Sequence, residues 1–178
     1  MKWLLRAIGA VVLVALFLLG VGLLLPARFH VERSVEIAAP APQVYALIAS
    51  PKEWRRWSAW DQRDPQMAIA YSGPPSGAGA RWSWRSRTEG NGSMEFTDAV
   101  ADQRVSYALL LPDVGLRSRG DLTIDASGAG VRLSWTNEGE FGPNPAARWL
   151  GPFMDRMVGP DFEAGLRNLK ALLERQSG

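Results

Sequence analysis

The sequence predicts an α+β protein. A curved antiparallel sheet of about seven strands should wrap a long C-terminal helix, preceded by one transmembrane helix. Three observations carry this. Residues 7–25 (AIGAVVLVALFLLGVGLLL) hold no charge. Between Phe29 and Phe141, short runs alternate apolar and polar residues with glycine-rich breaks between them. From Trp149 onward the apolar spacing changes to helical period.

The apolar run is the first element. At about 1.5 Å per residue it covers roughly 28 Å, close to the ~30 Å hydrocarbon core of a bilayer. Lys2 and Arg6 precede it, and Pro26 and Arg28 follow. Proline cannot continue the helix, and the charges suit head groups. A cleaved secretory signal is the competing reading, but its core is usually about 7–15 residues and its exit small at both −3 and −1. Leu25-Pro26-Ala27 puts leucine where a small residue is wanted. The expectation is therefore an uncleaved anchor over residues 1–28, in the membrane through residues 4–25, and a domain over 29–178. Basic residues at the short N-terminus favour that end in the cytoplasm. The domain would then be extracytoplasmic, in the periplasm of a Gram-negative source. Gly20 and Gly22 do not form a GxxxG pair, so the sequence leaves the oligomeric state open.

Three of the 20 basic residues and none of the 18 acidic ones precede Phe29, which leaves the domain a net charge of −1. With no basic stripe to neutralise phosphates, nucleic-acid binding is not expected. The chain has no cysteine and one histidine, His30. That excludes disulfides, thiolate metal sites and cysteine nucleophiles, and leaves no basis for a histidine triad.

Phe29, Val31, Val35 and Ile37 share one parity, a half-buried strand at the exit of the anchor. Pro42 suits a first helical turn, with Val44, Tyr45, Leu47 and Ile48 on a short helix behind it. Trp54, Trp57 and Trp60 recur at steps of three after Pro51. Strands follow at residues 67–71, 81–88, 93–100, 104–111, 117–126 and 131–141, with hairpin turns at 89–92 and 127–130. Strands joined in succession by short turns argue an antiparallel meander.

Trp149, Leu150, Phe153, Met154, Met157 and Val158, then Phe162, Leu166, Leu169, Leu172 and Leu173, form the closing helical stripe. Gly159-Pro160 should kink or restart this helix, and Gly151-Pro152 should disturb it. Strand parity turns Trp82, Trp84, Met94, Phe96, Val105, Tyr107, Leu122, Ile124, Leu133 and Trp135 toward Phe153, Met154, Met157 and Phe162. The same parity brings in Ser86, Thr88 and Asn137, and sends Glu95, Glu138 and Glu140 outward.

Seven stretches resemble the START-like, or SRPBCC, superfamily, and most of all its polyketide cyclase/dehydrase-type branch. They are Ser34–Pro40 with Val44-Tyr45, Trp57-Ser-Ala-Trp60, Tyr71-Ser-Gly73, Gly77–Trp82, Trp135, and Asp161–Lys170, in the family's order between Phe29 and Glu174. The resemblance implies a helix-grip fold with an apolar cavity between sheet and C-terminal helix. Members bind lipids, sterols, quinones, hormones or polyketides, and a minority catalyse. The ligand-binding candidates are then Trp60, Trp82, Trp84, Ser86, Met94, Tyr107, Trp135, Asn137, Met154, Met157 and Phe162. No catalytic residue, cofactor or metal is expected. The expected function is a membrane-anchored binding domain for a hydrophobic small molecule or lipid. A polyketide cyclase/dehydratase-like enzyme and a ligand-free interaction or stress-related module with a filled core are the alternatives. An empty cavity favours the first two, and a buried ionisable group within it favours the enzyme.

Overall fold

The computed structural model describes residues 2–141 and 145–175; the 29–178 span expected for the domain thus includes residues outside the described ones. Helix α1 (Lys2–Leu24) contains the apolar run, and almost none of that run is covered by the rest of the chain. Strand β1 (Arg28–Ile37) begins at once behind it. Pro42 lies in the first turn of α2 (Ala41–Ile48), which buries Val44, Leu47 and Ile48. The last carbonyls of a helix lack partners within it. Here two are taken by indoles: Trp54 Nε1 donates to Ile48 O at 2.9 Å and Trp57 Nε1 to Leu47 O at 3.4 Å. Those tryptophans belong to a 3₁₀ turn (Glu53–Arg56) and its exit; Ser58 then caps α3 (Ala59–Arg63).

The sheet follows the expected meander: β2 (Ala68–Ser72), β3 (Arg81–Arg85), β4 (Asn91–Val100), β5 (Arg104–Leu111), β6 (Leu116–Ser127) and β7 (Gly130–Glu140). Its order is β1-β7-β6-β5-β4-β3-β2, antiparallel throughout. Pairings of Arg28 and Arg117 with Glu140, Leu110 with Arg117, and Ser93 with Leu110 put the start of β1, the β5–β6 turn and the β3–β4 turn at one end. That end is the one nearest α1. Strand β3 stops at Arg85, three residues short of the expected limit, because residues 86–90 form the turn into β4, with Gly90 at φ 72°.

The chain then forms the short α4 (Pro145–Arg148), a 3₁₀ turn (Gly151–Phe153) and α5 (Met154–Glu174). The helix does not restart at Gly159-Pro160: α5 runs through Pro160, and the chain is interrupted at Gly151-Pro152. The inward face carries Met154, Phe162, Leu166, Leu169 and Leu173, while Phe153 and Met157 are exposed, not turned to the sheet as the unbroken stripe suggested. Arg33 on β1 fixes the rotation, with Nη1 at 2.7 Å from Asp155 Oδ1 and Nε at 2.7 Å from Glu163 Oε1. Hydrogen bonding to Arg33 holds the Asp155 carboxyl below its usual range.

Segment α4 packs on the last turns of α1. Trp149 Nε1 donates to Leu18 O at 3.1 Å, and Arg148 Nη1 to Leu23 O at 3.0 Å. Gly22 makes the approach feasible, since a Cβ there would lie 2.5 Å from Pro145 O.

One close approach fixes the sheet interior. Gly120 on β6 opposes Tyr107 on β5, and a Cβ at 120 would lie 2.0 Å from Thr136 O and 2.5 Å from the Tyr107 hydroxyl. Gly120→Ala should therefore overpack the centre of the sheet and cost about 1–3 kcal/mol. Urea unfolding of the full-length protein, followed by tryptophan fluorescence, measures this. A loss below about 0.5 kcal/mol, the scale of an ordinary surface substitution, would mean that the Tyr107 ring is free to move aside.

Candidate functional site

Between the inner face of the sheet and the first half of α5 lies a cavity of about 190 Å³. The sheet contributes Trp82 and Trp84 from β3, Met94 from β4, Tyr107, Leu109 and Leu111 from β5, Leu116 and Ser118 from β6, and Trp135 and Asn137 from β7. Phe29 closes it near α1, α5 supplies Met154, Val158 and Phe162, and the helical turns supply Trp54, Ser58, Trp60 and Asp61. Period-2 alternation puts the sheet residues on one face, because successive strand side chains point oppositely.

Aromatic contacts set the shape of the wall. Trp135 stacks on Phe162 with centroids 4.0 Å apart and planes at 8°, so β7 and α5 meet through two flat rings. Trp60 stands edge-on to both, at 5.9 and 6.1 Å. Ring pairs of this kind add roughly 0.5–1.5 kcal/mol beyond the area they bury.

The polar groups of this wall divide into two kinds. Tyr107 Oη is saturated: it donates to Thr136 O at 3.0 Å and accepts from Trp135 Nε1 at 3.0 Å and Asn137 Nδ2 at 2.9 Å. Burial pushes its phenol pKa upward, so Tyr107 stays neutral and acts as a structural tie. Leaving either donor unpaired would cost about 1–3 kcal/mol. Asp61 Oδ1 and Ser118 Oγ are the second kind, buried and without a hydrogen-bond partner. The nearest cation to Asp61 Oδ1 is Arg55 Nε, at 3.8 Å. Desolvation raises the Asp61 carboxyl pKa, opposed more weakly by Ser58 and Arg55.

An ion cluster closes the edge where Glu89 meets the cavity. Arg63 of α3 donates to Glu89 at 2.7 and 3.0 Å and also binds Asp161 of α5, joining three elements across the rim. Among the described residues no three His, Asp or Glu side chains gather as a metal site.

Nine candidates named from sequence line the cavity: Trp60, Trp82, Trp84, Met94, Tyr107, Trp135, Asn137, Met154 and Phe162. Ser86 does not line it. Its hydroxyl donates to Asp64 Oδ2 at 2.6 Å and accepts from the Thr88 and Glu89 amides, holding the turn that ends β3. Met157 lies outside because it stands about 140° around α5 from Phe162, and Thr88 is exposed in the same turn as Ser86. Glu95, Glu138 and Glu140 point outward, paired with Arg81, His30 and Arg28. Sequence reasoning missed Trp54, Asp61 and Ser118. Ser118 shares the parity of Gly120 and Leu122, which would have found it; Asp61 carries no such signal, because the extended backbone at Ser58 separates its helix from the turn that holds Trp54.

A family model described as polyketide cyclase / dehydrase and lipid transport matches residues 28–174. No curated protein matches the chain. Among solved structures, a norcoclaurine synthase point mutant from Thalictrum flavum, bound to a transition-state analogue, superposes with a TM-score of 0.66. It is 12% identical over 85% of this chain and 97% of that one. A di-domain ARO/CYC protein, StfQ, from the steffimycin biosynthetic pathway gives 0.64 at 13% identity over 85% of this chain and 52% of its own. A protein from Thermobifida fusca gives 0.62 at 24% identity, covering 82% and 93%. At these identities the likeness is one of fold.

The Asp61 carboxyl makes a pH prediction. A pKa raised on folding means that the folded state favours the protonated acid. The stability this contributes is complete below the unfolded value and is lost as pH rises through the raised one. Asp61→Asn removes the cost of a buried charge, so at neutral pH the variant should resist urea at least as well as the parent. The gap should narrow as pH falls below about 4, the ordinary aspartate range. A variant less stable than the parent at neutral pH would show that ionised Asp61 is well partnered.

Proposed function

The chain belongs to the polyketide cyclase / dehydrase and lipid transport family, and on that footing we propose that it is a membrane-anchored domain binding one hydrophobic small molecule or lipid chain. The carrying observation is the apolar cavity of about 190 Å³ between sheet and α5. A dry cavity of about 150 Å³ accepts a benzene-sized guest, whereas sites for drug-sized ligands run to roughly 300–1,000 Å³. The space therefore suits a one- or two-ring compound or part of an acyl chain. Anything larger would require Met154 or Trp84 to move.

Residues 1–28 serve as the anchor and 29–178 as the binding domain. The charge-free run of residues 7–25 supports this, and Lys2 and Arg6 favour a cytoplasmic N-terminus with the domain on the other side. Such a ligand partitions into the bilayer, and the anchor keeps the binding domain beside that reservoir. The nine lining candidates then become contact residues, with Trp60, Trp84 and Phe162 offering ring faces and Met154 an adaptable wall.

A second, catalytic reading has one observation of its own. Asp61 presents a desolvated carboxyl at the cavity wall, with one oxygen that makes no hydrogen bond and a pKa raised by burial, the environment of a candidate general acid or base. On this reading Asp61 moves a proton on a bound carbonyl compound, as cyclisation or dehydration requires.

Titration of the full-length protein in lipid nanodiscs with N-phenyl-1-naphthylamine, corrected for empty discs, tests the pocket. The parent should show saturable binding. Met154→Trp, which fills the space from α5, should abolish it. Trp84 is half-buried, so Trp84→Ala should change the affinity while costing less than the roughly 3–5 kcal/mol of a core aromatic. No saturable binding by the parent, with a full core-scale loss for Trp84→Ala, would instead mean a solid core and an interaction module.

A further inference from the structure

The large apolar side chains left in water outside α1 are unevenly placed. Val114 is 70% exposed, Met157 58%, Phe153 53% and Leu150 46%; Tyr71, Val100 and Leu110 all fall below 40%. The four most exposed lie at the end of the domain nearest α1. Val114 is in the β5–β6 turn, Leu150 and Phe153 lie on the segment joining α4 to α5, and Met157 lies in the first turn of α5. Leu150, Phe153 and Met157 recur at steps of three and four, which puts them on one side of that segment. A soluble surface seldom gathers such residues unless something covers them.

The contacts between α1 and α4 indicate what covers them. Trp149 bonds the carbonyl of Leu18, six residues before the end of α1. At about 1.5 Å per residue that point lies about 9 Å below the helix end. If α1 spans a bilayer with Leu24 near its edge, the Trp149 indole nitrogen reaches ~9 Å inside that edge, so the segment carrying Leu150 and Phe153 stands against lipid and not in water. Arg148, bonded to Leu23 O, lies beside it. Of the acids at this end, Glu140 is paired with Arg28, Asp155 with Arg33 and Glu89 with Arg63, whereas Asp113, beside Val114, accepts hydrogen bonds from Asn91 alone, so the docking is driven by the apolar side chains and not by charge.

We propose that this end of the domain docks on the bilayer surface, with Val114, Leu150, Phe153 and Met157 buried ~5–10 Å into the head-group and acyl boundary. The inference rests on the anchored reading of α1. Its consequence is directional. The first turns of α5 that bear Phe153 and Met157 outward bear Met154 and Val158 inward on the cavity, and Leu111 and Leu116 line the cavity on either side of Val114. The docked rim is thus the edge of the cavity itself, and an apolar ligand passes from lipid to cavity between the Val114 turn and Phe153 without crossing water.

The chain has no cysteine, so single labelling sites are unambiguous. Full-length protein carrying Val114→Cys, Leu150→Cys or Phe153→Cys is labelled with an environment-sensitive fluorophore. It is reconstituted in vesicles of phosphatidylethanolamine and phosphatidylglycerol. Val100→Cys, at the far end of β4, and Val14→Cys, within α1, are the references. Nitroxide-bearing lipids should quench the three rim labels and the Val14 label, and iodide should quench only the Val100 label. Leu150→Asp with Phe153→Asp, both surface changes, should return the Val114 label to iodide. Lipid quenching at Val14 with iodide quenching at the rim would leave the anchor standing and overturn the docking. Rim labels reached by neither quencher would mean a protein cover, which also overturns it. Iodide quenching at Val14 would remove the anchor, and the docking with it.

Discussion

Arg33 reaches from β1 to Asp155 and Glu163, about two turns apart on α5, and its side chain is about three-quarters covered. An exposed pair contributes roughly 0–1 kcal/mol. The significance of this forked arrangement is geometric, because it matches the rotation of α5 that buries Phe162, Leu166, Leu169 and Leu173. Met154, Val158 and Phe162 then face the sheet, and Phe153 and Met157 face away. A rotation by one residue, about 100°, would put Phe153 and Met157 into the cavity and Met154 into solvent. The cavity and the apolar rim outside it thus follow from the same phase.

Within the cavity, the distinction that matters is between polar atoms already satisfied and those left over. Trp135, Asn137 and Thr136 exhaust the Tyr107 hydroxyl, which makes that part of the wall rigid and inert. Fully paired networks of this sort specify a unique packing. Asp61 Oδ1 and Ser118 Oγ are left over in a space lined mostly by aromatic and aliphatic side chains. A buried polar atom without a partner costs stability. Their retention at the wall is what a ligand bringing its own polar group would offset.

Much of this was legible from residue patterning, for a definable reason. Strand period is fixed at two by the pleat, so Trp82, Met94, Tyr107, Trp135 and Asn137 could be placed on the inner face without knowing the fold. Ser86 failed because parity holds only while a strand lasts, and this one ends at Arg85 in a turn organised by the Ser86 hydroxyl itself. Met157 failed because the segment from Trp149 to Val158 is apolar on more than one side. A single stripe cannot be read from such a segment, and the phase depends on Arg33, over a hundred residues away in the chain. Asp61 was illegible for a different reason. Its burial comes from elements distant in sequence, and nothing local distinguishes it from a solvated carboxylate.

The central claim is that the space between sheet and α5 holds a guest. Native mass spectrometry of the full-length protein, extracted from its own membranes and released gently from detergent, bears on this most directly. One small apolar molecule per chain should survive as added mass and dissociate on collisional activation. A single unliganded mass after the mildest release, with the same protein failing to gain mass when offered excess membrane extract, would contradict a ligand-binding cavity.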